Sequence, residues 1–401
     1  RLDPFDLADT ERLLRRLDFI ADVRIVVVKL TGVAAGEPES VAVIVEPMDR
    51  WPLGVSGKLK NRDLYSLRLY SVNVLGYGLG LENEWIVNRD AHPRNGYCGW
   101  LRKENLGGTF VDVDAEYEDS YARLRRRAEA ERRLRHPGID VIGGVTVDAY
   151  DDRQNQGIPR RYTETDVWLG RALRLYERQA EIAAARPLLV PALRFRQRRF
   201  DARPTVAADT NSSYHERSLW LVGVSLVRTR YYKTSYVFGD GEVEDLPSGF
   251  ALNLSGGYEH GEFADRPALF GRGSWLSLRS RGDIAFLGLG LGGYLDGARL
   301  TEGVFSFSGA YYTRLLGSAR YRYRFYSDVR YTLGLDRHPE DRLLLDETAG
   351  IRGLETDLLT GNQRLVTKLE ARLFTQWSLF GFRLSWLGFA DLGVIGGEEA
   401  S

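Results

Sequence analysis

The sequence predicts an all-β fold, an antiparallel β-barrel that crosses a membrane with its strands, preceded by a small α/β segment. Three observations carry this. Polar and apolar side chains alternate with period two through most of the chain after Trp51, the signature of strands whose two faces meet different surroundings. The chain of 401 residues holds 43 Gly, 21 Tyr and 8 Trp; glycine relieves crowding in curved strands, and Tyr and Trp anchor at the headgroup level. Charged residues make up 27% and no run of about 18 apolar residues exists, so a spanning helix is excluded while a barrel with a wet inner face is not.

The first fifty residues differ from the rest. Leu7, Leu13, Leu14 and Leu17 fall near helical spacing, Asp3 or Asp6 offers an N-cap, and strands are expected over 23–30 and 40–46. From Trp51 onward, strand-like segments begin near Leu53, Tyr65, Tyr77, Gly96, Thr109, Ile139, Thr163, Leu188, Ser218, Gly249, Leu269, Gly282 and Leu300, divided by turn signals such as Asn-Arg-Asp and Asp-Gly. Over 121–134 the Arg, Ala and Glu content favours a helix. Yet Arg123, Arg125, Arg127 and Arg133 share one face of a strand, and Asp112, Asp114, Glu116 and Glu118 offer cross-strand partners. The reading is a charged lumenal hairpin, with the helix as the alternative.

The late strands show the two faces most clearly. Arg320, Arg322, Arg324, Asp328 and Arg330 oppose Tyr321, Tyr323, Phe325, Val329 and Tyr331. Lys368, Glu370 and Arg372 oppose Leu369 and Leu373, and Arg383, Ser385 and Asp391 oppose Phe382, Leu384, Trp386 and Leu392. A soluble sandwich would bury the aromatics. Repetition of charge on the opposite face in consecutive segments instead suits lipid outside and water inside, and puts Asp391 in the lumen.

Several function classes find no support. A formal net charge of zero, with Arg dispersed among Asp and Glu, gives no sign of nucleic acid. Cys98 is alone, so no internal disulfide forms. The glycine-rich 288–293 lacks the Lys-Ser/Thr of a phosphate loop and reads as small lumen-facing positions. His92, His136, His215, His260 and His338 lack metal spacing, and no G-x-S-x-G elbow appears. The acidic run 240–245 reads as a solvated extracellular loop rather than a cation site.

Two motifs carry chemistry together. Gly350-Ile351-Arg352-Gly353 lies in a polar stretch, and Gly388-Phe389-Ala390-Asp391-Leu392-Gly393 ends a strand-like run. The pair resembles the best-marked motifs of the BamA/TamA-like outer-membrane insertases and their two-partner-secretion relatives. The resemblance implies that the loop carrying Arg352 folds back into the barrel. There Asp391 holds the guanidinium on a wall shared with Phe389 and Gly393, with Glu370 the nearest alternative acceptor. A guanidinium in a narrow lumen loses hydration and needs a matched carboxylate, and glycines beside it permit a sharp tip. The stretch 5–27 resembles the second half of a POTRA domain, so 1–50 is expected to be a partial POTRA-like periplasmic segment and 51–401 the barrel. Residues 73–85 resemble the second and third barrel strands of the family.

The family barrel has about sixteen strands, with one or two after the Asp-bearing strand. The chain begins at Arg1 without Met and ends Gly-Gly-Glu-Glu-Ala-Ser, so the expectation is an exported piece lacking its last strands. The function implied is assembly or translocation of client polypeptides in the bacterial outer membrane, without covalent chemistry, cofactor or metal. Expected partners are outer-membrane lipid and lipopolysaccharide, unfolded clients and periplasmic accessory proteins. The first barrel strands, about 53–74, would meet the last at a weak seam. Two alternatives stay open: a barrel that anchors or exports an upstream enzymatic domain of the patatin-type lipase kind, and a passive pore.

Overall fold

The structure is a computed structural model. It describes residues 4–29, 41–135, 138–154, 157–175, 187–279, 281–297, 299–338, 341–354, 356, 358–380 and 382–397. The chain divides into two compact units, Arg1–Val167 with Arg198–Pro204, and Trp168–Gln197 with Thr205–Ser401.

The first unit opens with helix α1 (Pro4–Arg15) and strands β1 (Ile20–Lys29) and β2 (Val41–Asp49). Asp6 sits in the first turn of α1 rather than at its cap, and Arg12 and Arg15 in the last, the charge order that a helix dipole favours; Asp3 lies outside the described residues. β1 and β2 pair antiparallel, with Val27 opposite Val43. Glu11 ties the helix to this ribbon, its carboxylate accepting the Ile25 N–H at 2.8 Å. Of the expected strand ends, Leu30 and Ser40 lie outside the described residues. β2 runs past the expected Glu46 through Pro47 to Asp49, as an edge strand can.

The unit continues with β3 (Leu53–Leu59), β4 (Leu64–Ser71), β5 (Leu79–Asn88), β6 (Asn95–Lys103), β7 (Val111–Asp119), β8 (Arg123–Arg132) and β9 (Val141–Asp152). β7 and β8 form the charged hairpin, not a helix. Cross-strand pairing overrides helix propensity here, since Glu118 accepts from Arg123 at 2.6 Å and Asp148 of β9 from Arg125 at 2.7 Å. β10 (Arg161–Arg171) and β12 (Leu188–Ala202) have residues in both units, with the short β11 (Leu173–Arg174) between them in sequence.

The second unit contains β13 (Arg217–Ser235), β14 (Val243–Gly261), β15 (Asp265–Leu278), β16 (Ile284–Asp296), β17 (Arg299–Tyr312), β18 (Leu316–Gly317), β19 (Tyr321–Leu335), β20 (Leu343–Leu344), β21 (Thr360–Gly361), β22 (Gln363–Leu379) and β23 (Phe382–Gly396). β20 and β21 pair with each other in a sheet of two strands; the remaining strands from β3 onward belong to one closed barrel sheet. Among the described residues no helix is long and apolar enough to cross a membrane.

The two faces follow the parity of the sequence. On β16, Leu287, Leu289 and Leu291 stand outward and exposed, while a Cβ added at Gly288 or Gly290 on the inner face would meet Ser308 or Ser306 of β17 within 2.6 Å. On β19, Tyr321, Tyr323 and Phe325 are outward and exposed, and Arg324 is inward and buried. Two expectations are corrected. β14 starts at Val243, not near Gly249, and the run 240–245 is not a free solvated loop: Asp240 lies against the inner face of β23, and Glu244 accepts the backbone N–H of Gly239 at 2.7 Å. A carboxylate that satisfies turn amides is paired, whatever its sequence context implies.

If the outer face meets lipid, Leu289→Arg should cost about 2–4 kcal/mol near mid-membrane. Urea titration of the folded protein in bilayers measures this. An equal or smaller loss than that of Ser306→Arg on the inner face would contradict the assignment of faces.

Candidate lumenal loop site

The segment between β19 and β22 turns back on itself before it reaches the wall. β20 and β21 close its base, with Leu343 opposite Gly361. Above them Asp346 organises the tip: its carboxylate accepts from the Thr348 hydroxyl at 2.7 Å and the Ala349 N–H at 2.8 Å, an Asx-type turn. These two donors, Thr348 first, hold the Asp346 carboxyl below the usual carboxylate range. Gly350 and Gly353 take φ of +117° and +77°, conformations that glycine adopts without strain.

The underside of the tip is apolar. Leu345 and Ala349 are buried against Val366 of β22, with Ile351, Leu354 and Ile395 of β23 around them. Gly393 makes this approach possible, because a Cβ there would come within 2.8 Å of Leu345 and 3.0 Å of Ile351. A dry patch on an otherwise charged face fixes where the loop lands.

Arg352 then meets three groups at once. Its Nε and Nη2 donate to the two oxygens of Asp391 on β23, both at 2.7 Å, and its backbone N–H donates to Asp391 Oδ2 at 3.0 Å. This two-point geometry is specific to a guanidinium. Nη1 donates to Glu370 Oε2 on β22 at 3.1 Å. The guanidinium carbon lies 3.7 Å from the ring centre of Phe389, within cation–π range. β22 and β23 set these positions by register, Glu370 standing opposite Phe389 and Lys368 opposite Asp391.

All eight residues singled out in the sequence are thus near one another. Gly350, Ile351, Arg352 and Gly353 form the tip, and Glu370, Phe389, Asp391 and Gly393 the wall. Glu370 differs from its expected part: it accepts from Arg352 together with Asp391 rather than in its place. It also accepts from Arg372 Nε at 2.6 Å, so two arginines share it. Sequence reading missed Leu345, Ala349 and Val366. Their one signal was an apolar residue, Val366, at an inward position in the same register as Lys368 and Glu370.

The arrangement fixes the Arg352 tip to the wall through Asp391, Glu370 and Phe389. Among the described residues no group of three or more His, Cys, Asp or Glu is placed to hold a metal, and His136 lies outside those residues.

No protein-family model matches the chain, and no curated protein matches it. Among solved structures the chain is similar to CdiB from Acinetobacter baumannii, with TM-score 0.38 and 10% identity over 95% of this chain and 67% of that one. It is similar also to BamA from Haemophilus ducreyi lacking POTRA domains 1-3, with TM-score 0.36 and 8% identity over 96% of this chain and 77% of that one.

The seat of the loop is open to test. Gly393→Val should push Leu345 and Ile351 away at a cost of about 1–3 kcal/mol, seen as faster tryptic cleavage after Arg352. Gly388→Val, on the outward face with nothing within 4 Å of the added Cβ, should leave cleavage at its original rate.

Proposed function

We propose that this chain is an outer-membrane factor that assembles or translocates client polypeptides, and that it acts without covalent chemistry or cofactor. The observation that carries the reading is the Arg352 clamp. A loop with its own internal turn is anchored to the inner wall by a two-point ion pair, a backbone hydrogen bond and an aromatic face. A passive pore has no use for such an anchor, whereas a barrel that must stay braced while polypeptide is handled does. The helix and two-stranded ribbon of 4–49 fit a periplasmic POTRA-like segment. The ribbon's strands expose Val27, Val43 and Val45, a surface suited to an extended client.

The clamp's contribution follows from exposure. The Asp391 side chain is 4% exposed and that of Arg352 30%, so removing the arginine strands a shielded carboxylate beside a partly wet lumen. The cost lies between that of an exposed pair and a buried one, about 1–3 kcal/mol. It falls on the loop and not on the strands, whose backbone hydrogen bonds do not involve Arg352. Arg352→Ala should therefore cut client assembly about tenfold in proteoliposomes while the barrel still migrates as a folded species on unheated gels. Full assembly by a folded Ala variant would refute the proposal.

A further inference from the structure

A second segment enters the inner face of the same unit, and the Arg352 site does not account for it. β13 and β14 are joined by the turn 236–242, at the end of their strands opposite to the end from which the Arg352 loop departs. This turn is not splayed into solvent. Val237 is fully buried in a cluster with Leu246 and Ile284, packed against Leu276, Leu278 and Tyr312. Tyr236 lies edge-on to Phe374 at 5.3 Å, beneath the Arg322 guanidinium at 4.6 Å. Gly241 has φ +102°, and a Cβ there would strike the Tyr236 ring at 2.7 Å, so the turn is shaped to fold inward.

Its backbone is held by the barrel wall. The Tyr326 hydroxyl donates to Val237 O at 2.6 Å, Arg372 Nη1 to Phe238 O at 2.8 Å and Arg383 Nη1 to Asp240 O at 2.7 Å. Side chains on three strands converge on one short turn, which a solvated connection would not require.

The seats of the two loops lie on one row of the sheet. Ile284 pairs with Tyr312, Tyr312 with Tyr326, Tyr326 with Glu370 and Glu370 with Phe389. The turn occupies the Ile284 end and Arg352 the Phe389 end. Glu370 joins them, with one oxygen on Arg352 at 3.1 Å and the other on Arg372 at 2.6 Å. A carboxylate held between two guanidiniums is positioned by both, so loss of the Arg372 contact leaves Glu370 free to rotate off Arg352 Nη1.

We propose that the 236–242 turn is a built-in plug of the barrel interior, latched by Arg372, and that Glu370 couples its seat to that of the Arg352 loop. Release of the plug thus loosens the clamp. The proposal needs only the membrane barrel and not the client function.

The test uses the whole chain in planar bilayers of phosphatidylethanolamine and phosphatidylglycerol in potassium chloride, with tryptic cleavage after Arg352 measured in parallel. Arg372→Gln should raise ion conductance, and cleavage after Arg352, by at least about fivefold each. Val237→Asp places a charge in the dry cluster and leaves every strand residue in place, so it should raise conductance likewise and serves if Arg372→Gln does not fold. Wild-type conductance in folded Val237→Asp protein overturns the plug. Raised conductance with unchanged cleavage after Arg352 in both variants overturns the coupling. Ion flux is read without any client, so failure here leaves the proposed function standing, and failure of client assembly leaves the plug standing.

Discussion

Each strand of this protein has to suit two surroundings at once, and the period-two alternation that does so determines nearly everything else. Outward residues are large and apolar, as at Leu287, Leu289 and Leu291. Many inward residues are small or charged, as at Gly288, Gly290 and Arg324, and each inward charge loses part of its hydration. The structure answers with cross-strand ion pairs such as Glu118 with Arg123 and Arg125 with Asp148. Pairing on a sheet is set by register, so the places where a loop can find an unshared carboxylate are few. Asp391 is such a place: it stands opposite Lys368 on the neighbouring strand and takes Arg352 of the loop on both of its oxygens.

The inner face is also less uniformly wet than its charge suggests. Dry patches interrupt it, among them one of Leu345, Ala349 and Val366 and another of Val237, Leu246 and Ile284. Each is completed by a segment that is not part of the barrel wall. The apolar contacts decide where a segment rests; the polar contacts beside them decide its orientation, since hydrogen bonds are directional and hydrophobic burial is not. Arg352 and Arg372 do for their respective loops the same kind of work, and both draw on Glu370.

Much of this was legible in the sequence because parity along a strand is exact over short distances. Counting by twos from Arg383 and Ser385 placed Asp391 inward, and the same count placed Glu370 with Lys368 and Arg372. The hairpin of β7 and β8 was legible through its matched acids and bases even though its composition favours a helix. What escaped depended on contacts between segments far apart in sequence. Nothing local to 236–242 reveals that Tyr326 and Arg372, about ninety and more than a hundred residues later, will bind its carbonyls, and an acidic Gly-containing run ordinarily means a solvated turn. The early start of β14 was hidden by the same acids. That Glu370 serves two arginines together could not be read from spacing, which shows the face a residue takes but not how many partners arrive there.

The Arg352 clamp works chiefly through what its absence would leave behind. An exposed ion pair adds little to stability, and with 30% of its side chain in solvent Arg352 gains only part of the attraction a dry site would give. Asp391 is different: at 4% exposure its carboxylate has exchanged water for the arginine's donors and one backbone N–H. With the loop withdrawn, that carboxylate would have to be rehydrated or left unsatisfied, and the dry patch beneath Leu345 would open to water at the same time. The docked state is therefore favoured by the penalty for undocking more than by the strength of any single bond.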